Sequence, residues 1–302
     1  MINPASSDER RKLIWAHVYQ QLLHNAVPDS RFDYDFLSFT PDFRGSLSAI
    51  ERVVSLPCYQ NAKTLLVTSD NSLEQLRKQA LKDGKTILVA TYRLRRGFVL
   101  LNPNRIGEGN YALAACLDGM EKPGLGKSLS LAELQHEKMS IDLCITGGLA
   151  FNEQGVVIWE GHALFEVQWS ILRDINCLTA DTPVVAVAHT CQVIDEVQLG
   201  VDKITPKKAG EVQCDFVVTP DRVYEVEGPQ RPSGSIDFET IDRAALKSIP
   251  PLQELKGIRM MEQIMQNGGL DQSKEKTKPT PISAEEQTGI DMVEKLMKGY
   301  KP

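Results

Sequence analysis

Three groups of residues in this chain have the types and spacing to do chemistry. Arg93, Arg95 and Arg96 directly follow the apolar run Thr86–Thr91, so guanidinium groups gather beyond the end of a strand, where they suit an anionic ligand or ordinary surface pairing. Gly147-Gly148 closes a second apolar run, Ile141–Thr146, and backbone that turns at paired glycines beside a buried strand is where α/β proteins hold ligands. Arg10, Arg11 and Lys12 enter the first helix, as a solvated face or as cations for a bound phosphate. Other groups carry less. His189 and Cys191 alternate at what reads as a strand's exit, too few for a metal site without ligands from elsewhere. Gly124–Ser128 has the end of a phosphate-binding P-loop, but Glu121 stands where that motif needs its first glycine.

The elements that must position these groups follow from hydrophobic period and caps. Leu13, Ile14, Val18, Leu22 and Leu23 predict a helix from about Ser7 to Asn25, and another follows from Ser46 to just before Pro57. Thr64–Thr68 reads as a strand, Ser72 as the cap of a helix that Gly84 ends, and Thr86–Thr91 as a second strand. Strand, helix and strand in so short a span make a βαβ unit with parallel strands. Gly97–Pro103, Ile141–Thr146, Val156–Trp159, Pro183–Ala188 and Cys214–Thr219 are further extended segments, with Arg222–Val226 beside the last. Ser128 or Ser130 caps a short helix, and a longer one is predicted over Gly161–Asp174. The alternation predicts a three-layer α/β/α sandwich with a largely parallel sheet. Between the first two helices, Phe32, Tyr34, Phe36, Phe39 and Phe43 crowd a turn-rich loop that is either packed inward or a wall for a flat ligand.

Residues 1–227 make up this α/β domain. Residues 228–266 form a helical extension packed on it, 267–282 a flexible linker, and 283–302 an amphipathic tail helix that docks on its own domain or on a protein partner. With 42% hydrophobic and 25% charged residues the chain is of globular type, and its net charge of −6 argues against general nucleic-acid binding. No apolar run reaches the ~20 residues needed to cross a bilayer, and the first residues lack a signal peptide's apolar region, so a cytoplasmic address with reduced, packed cysteines is expected.

In order, E-R-R-K-L-I-W at 9–15, F-R-G-S-L-S-A at 43–49, K-T-I-L-V-A-T-Y-R-L-R-R-G at 85–97 and V-L-L-N-P at 99–103 resemble the 5-formyltetrahydrofolate cyclo-ligase (methenyltetrahydrofolate synthetase) family. The likeness is greatest to its synthetase domain-containing branch. I-D-L-C-I-T-G-G-L-A-F at 141–151, T-P-V-V-A-V-A-H-T-C-Q-V at 182–193 and C-D-F-V-V-T-P at 214–220 continue it. The resemblance implies an ATP- and Mg²⁺-dependent closure of 5-formyltetrahydrofolate to 5,10-methenyltetrahydrofolate. It implies that Arg10, Arg11, Lys12, Gly147, Gly148, Gly161 and His162 border the nucleotide. Phe43, Gly45, Arg93 and Arg96 would line the folate side, with Glu166 and Asp215 at the metal.

The family's nucleotide loop resembles R-x-G-x-G-x-G-Y-x-D, and here the matching residues are Val157 through Glu166. Of its three glycines only Gly161 is kept. Val157 takes the arginine's place, Trp159 a glycine's, and Glu160 stands where a lysine is often found. Like charges about 4 Å apart cost on the order of 4 kcal/mol at an effective dielectric near 20, almost a thousandfold in affinity. Two readings result: a cyclo-ligase-like enzyme using Mg-ATP on a folate, or a ligand-binding or regulatory relative that has lost the ATP-dependent step.

Overall fold

The computed structural model describes residues 4–206, 211–232 and 234–266, so the expected linker 267–282 and tail helix 283–302 lie outside the described residues. The chain divides into two compact units, Met1–Ile258 and Arg259–Pro302. Of the second, the described part is the end of the helix Pro250–Gln266.

Within the first unit an eight-stranded sheet runs in the order Val223–Glu225, Phe216–Val218, Val184–Val187, Leu143–Thr146, Thr64–Val67, Thr86–Ala90, Phe98–Leu101, Lys127–Leu129. The strands from Phe216–Val218 through Thr86–Ala90 are parallel. The edges are antiparallel: Val223–Glu225 on one side, Phe98–Leu101 and Lys127–Leu129 on the other. The central strands are buried throughout Leu143–Thr146 and Val184–Val187, as continuous apolar runs require when helices cover both faces.

Register sorts these runs into two cores. Cys144 pairs with Val184 and Leu66, and Leu66 with Leu88; this row meets Phe165, Trp169 and Leu172 of the helix Phe165–Asp174. On the opposite face Leu65, Ile87, Leu143, Ile145 and Val185 meet Ile50 and Val53 of the helix Ser46–Ser55 and Leu76 and Ala80 of Glu74–Lys82. The sandwich predicted from the alternation of segments is the fold. A third cluster packs Ile14, Val18 and Leu22 of the helix Pro4–Asn25 against a small sheet of Val193–Ile194, Ala150–Asn152 and Val157–Trp159. Ile249, Leu252 and Leu255 of the extension join the first core. Leu13, by contrast, is 62% exposed, one position off the buried stripe.

Several local expectations are corrected. The helix expected from Gly161 begins only at Phe165, because Gly161 (φ 88°) and Leu164 (φ 55°) are left-handed. Ser72 caps nothing; it lies buried in the 3-10 turn Asn71–Leu73 before the helix Glu74–Lys82, its hydroxyl unpartnered. His189 and Cys191 lie not on an extended exit but at a 3-10 turn, Thr190–Gln192. There the His189 ring accepts from the Cys191 N–H (3.1 Å), and Gln192 Oε1 accepts from the His189 N–H (2.7 Å).

Of the two candidate caps, Ser130 forms a full capping box on the helix Leu131–His136. Its hydroxyl accepts from the Glu133 N–H (3.2 Å) while Glu133 accepts from the Ser130 N–H (2.8 Å). Ser130→Ala should therefore cost about 1 kcal/mol, and a thermal melt should shift down by roughly 2–4 °C. An unchanged melt would mean the box is not formed in solution.

Candidate functional site

From Thr64–Val67 the chain crosses to Thr86–Ala90 on one side, while Leu143–Thr146 lies on the other, so the connections diverge between Thr64–Val67 and Leu143–Thr146. A crevice beyond the carboxyl ends of strands at such a point is where open α/β sheets bind ligands. The residues that exit there are Thr68-Ser69-Asp70 and Gly147-Gly148.

Asp70 is fully buried. Its Oδ2 accepts from the Gly147 N–H (3.0 Å) and from the Thr68 hydroxyl, whereas Oδ1 has no partner. Gly147 must be glycine, since a Cβ there would lie 2.8 Å from Oδ2. Beneath this loop, Arg77, 1% exposed, donates to the carbonyls of Thr68 (2.7 Å), Asp70 (3.0 Å) and Ala115 (2.7 Å). Burial pushes its guanidinium down to about 10, against the pull of Glu74 and Asp70, so it remains a cation at neutral pH.

Two further segments close on Asp70. Thr40 bonds through its carbonyl to the Asn71 N–H (3.1 Å), and its hydroxyl, also unpartnered, lies 3.1 Å from where a Cβ on Gly161 would be. Next to Gly161, His162 is 5% exposed with Nδ1 unpartnered. Burial lowers its pKa, while Asp70 raises it and Arg93 and Arg31 lower it further. Its ring lies 5.2 Å from that of Tyr92, which stacks on Phe32 at 5.8 Å. Phe32 and Tyr92, with Arg31, Arg96, Leu117 and Glu121, line a cavity of about 250 Å³. Of the aromatic loop, Phe36, Phe39 and Phe43 are interior, and Phe32 lines this cavity.

The residues singled out for the nucleotide are distributed differently. Arg11 donates to the Ile158 carbonyl (3.0 Å) and pairs with Glu211 (2.7 Å), tying the first helix to the small sheet, and Arg10 pairs with Asp202 at 3.7 Å. Lys12 is exposed. The Gly148 carbonyl accepts from Gln192 (2.8 Å), and a Cβ on Gly148 would lie 2.5 Å from the Phe151 ring. Trp159 stacks on Trp15 at 5.9 Å. Glu160 Oε1 accepts from the Glu166 N–H (3.2 Å) in the first turn of the helix Phe165–Asp174. Desolvation, then repulsion from Glu166 and Asp70, raises its pKa from an ordinary 4.5 to about 8. Its obstruction of an anion near neutral pH is thus chiefly occupation of the amide, and the simple charge repulsion read from the sequence is weaker than expected.

Of the residues expected on the folate side, Gly45 (φ 84°) starts the helix Ser46–Ser55 against Pro220, and Phe43 meets His189 edge-on at 5.7 Å. Arg93 lies over Tyr92 at 5.4 Å, and Arg96 binds Glu121 at 2.7 Å. Glu166 accepts from the Val212 N–H (3.3 Å) and lines a separate cavity of about 630 Å³ with Val167, Ile241 and Leu252. Asp215 sits at the amino end of its strand, accepting from the Val184 N–H (2.6 Å) and from Arg231. The structure gathers Gly147, Gly161, His162 and Arg93 around Asp70 and Tyr92, and places Asp215 at the other end of the sheet. Among the described residues no three His, Cys, Asp or Glu side chains gather closely enough to hold a metal ion.

Sequence reasoning passed over Thr40, Asp70 and Arg77. The signal for Arg77 was present: it falls on the stripe of Leu73, Leu76, Ala80 and Leu81, a charge on an otherwise apolar face.

The profile of the 5-formyltetrahydrofolate cyclo-ligase family matches residues 17–220. A methenyltetrahydrofolate synthase domain-containing protein of Danio rerio is 28% identical over 217 residues, covering 72% of this chain and 54% of the relative. One of Homo sapiens is 25% identical over 252 residues, covering 83% and 61%. The chain thus spans between about half and three-fifths of the length of these relatives. Among solved structures, a 5,10-methenyltetrahydrofolate synthetase of Aquifex aeolicus aligns with a TM-score of 0.41 at 15% identity, covering 78% of this chain and 97% of that one. That of Mycoplasma pneumoniae gives 0.38 at 10%, covering 69% and 97%. No helix of the described residues is long and apolar enough to cross a membrane.

Proposed function

Because the chain belongs to the 5-formyltetrahydrofolate cyclo-ligase family, we propose that it is a cyclo-ligase-like protein whose crevice takes a folate-class ligand and which has lost the ATP-dependent step. One observation carries the second half of this reading: Glu160 occupies the helix amide, at Glu166 N–H, that an anion would use. The residues present do not fit Mg-ATP. Arg11 is bonded to Ile158 and Glu211, the bulk of Trp159 fills the loop against Trp15, and Glu166 accepts from Val212. A phosphate at this loop would have to displace each of these contacts.

Retained turnover is the alternative, and family membership is what speaks for it. The two separate in one pair of measurements. Titration calorimetry should give heat with 5-formyltetrahydrofolate and none with Mg-ATP, and no absorbance of a methenyl product should develop at high protein concentration. Turnover at an ordinary enzymatic rate would remove the proposal. Trp159→Gly combined with Glu160→Lys should create measurable Mg-ATP binding, since it opens the loop backbone and supplies a cation; no gain would refute this account of the loop.

A further inference from the structure

We propose that the cavity of about 630 Å³ between the helix Phe165–Asp174 and the extension binds a small molecule with an apolar body and a protonated amine, and that Asp237 and Glu166 select its charge. This site lies apart from the crevice around Asp70. Its wall residues from Pro232 onward lie beyond the stretch 17–220 that matches the family.

The extension is pinned at two places. Near its start the Arg173 guanidinium donates to the Pro232 carbonyl, and the Ile236 N–H donates to Asp174 Oδ2 (3.3 Å), both at the C-terminal end of the helix Phe165–Asp174. Further on, Asp242 Oδ2 accepts from the Ala245 N–H (3.2 Å) to cap the short helix Arg243–Ser248, and Ile249 and Leu252 enter the first core. Between these anchors the chain stands off from the first turns of Phe165–Asp174. Glu166, Val167 and Ser170 line the space from the helix, and Ile236, Ile241 and Ala245 line it from the extension. Interiors seldom leave voids larger than a water molecule, so a space of this size under a chain held at both ends is a built feature. Its volume falls within the roughly 300–1,000 Å³ of small-molecule sites.

The walls set the class of ligand. Val167, Ile236, Ile241, Ile249 and Leu252 give apolar surface that gains by covering an apolar body. Of the polar side chains, the Ser170 and Thr240 hydroxyls are spent on the carbonyls of Glu166 (2.8 Å) and Asp237 (2.9 Å). Two carboxylates line the cavity, Glu166 and Asp237, with no lysine, arginine or histidine among the lining residues. The wall segment 234–242, G-S-I-D-F-E-T-I-D, adds Glu239 and Asp242 and no base. Asp237 Oδ1 accepts from the Glu239 N–H (3.0 Å), which fixes the direction of its carboxylate. A cleft of one sign between apolar walls concentrates its field, so it favours a cation and repels an anion. An apolar molecule with an ammonium group matches both features.

The test uses the full chain and three probes of one skeleton: 4-phenylbutylamine, 4-phenylbutan-1-ol and 4-phenylbutyrate. Titration calorimetry should give a Kd on the order of 1 mM for the amine, about fivefold to thirtyfold tighter than for the alcohol, with the carboxylate weakest. Asp237→Asn, at an exposed position, should lower the ratio of amine to alcohol affinity by about threefold or more. Salt at about 0.5 M should narrow the same ratio in the wild type. Ala245→Phe, which fills the cavity, should abolish binding of all three probes; if that variant does not fold, the ratio in Asp237→Asn still decides. No binding of the amine at about 10 mM, a carboxylate that binds as well as the amine, or an Asp237→Asn variant that keeps the wild-type ratio would overturn the proposal. A folded Ala245→Phe variant with unchanged affinity would do the same. So would displacement of the amine by 5-formyltetrahydrofolate, which would place it in the crevice around Asp70.

Discussion

Replacing Arg77 with methionine should lower the free energy of unfolding by about 3–5 kcal/mol, the largest effect expected of any single substitution in this chain. Methionine fills similar space, so the loss is not one of packing. It removes the donor shared by the carbonyls of Thr68, Asp70 and Ala115 and the positive charge that faces buried Asp70. The change is costly because three buried carbonyls lose their donor and the buried Asp70 carboxylate loses the cation that faces it. Arg77→Lys should recover only part of the loss, since an ammonium is a point charge and cannot match the directions of a guanidinium fork. Urea unfolding of the three proteins measures this. A loss below about 1 kcal/mol for the methionine variant would show that Arg77 is not what holds the Asp70 loop.

The second large effect is one of pH. Glu160 is held near 8 in the folded protein against about 4.5 for an ordinary glutamate, by desolvation first and then by Glu166 and Asp70. Between these values the folded state keeps a proton that the unfolded state has released. Stability must therefore be fully present below about 4.5 and must fall as pH rises to about 8. The full slope for one proton is about 1.4 kcal/mol per pH unit, and partial access of water to Glu160 reduces the total to roughly 2–4 kcal/mol. Glu160→Gln is neutral at every pH and still offers a carbonyl oxygen to the Glu166 N–H. The difference in stability between variant and wild type should grow in the variant's favour from pH 5 to pH 8. A difference that does not change with pH would place Glu160 in water and remove its role at the helix.

Much of the fold was legible because it depends on local chemistry. Thr64–Val67, Thr86–Ala90, Leu143–Thr146 and Val184–Val187 are each short apolar runs bounded by turn formers, which a buried parallel sheet requires. The Ser130 box was legible for the same reason, as all its partners lie within one turn. The later start of the helix at Phe165 was less so. Leu164 is an ordinary residue to a propensity argument, and only the packing around Gly161, Thr40 and Leu149 holds the approach left-handed.

The candidate site was legible by half. Gly147 and Arg93 stood out because glycine pairs and cations after strands are visible in a line of letters, and Gly161 and His162 entered through the family resemblance. Arg11 was equally visible and belongs elsewhere: its partners, Ile158 and Glu211, are 147 and 200 residues away in the chain. The sequence by itself determined the family, the α/β alternation and the replacement of a loop glycine by Trp159 and of a frequent lysine by Glu160. Only the tertiary structure decided which strand ends are neighbours. That order brings Asp70 to Gly147, Thr40 to Gly161, and His162 to Tyr92. It also assigns Glu160 to a helix amide in place of a ligand. The physical reason is that a polar atom's role depends on which partner burial leaves it, and partners from distant segments are chosen by sheet order and packing, not by spacing along the chain.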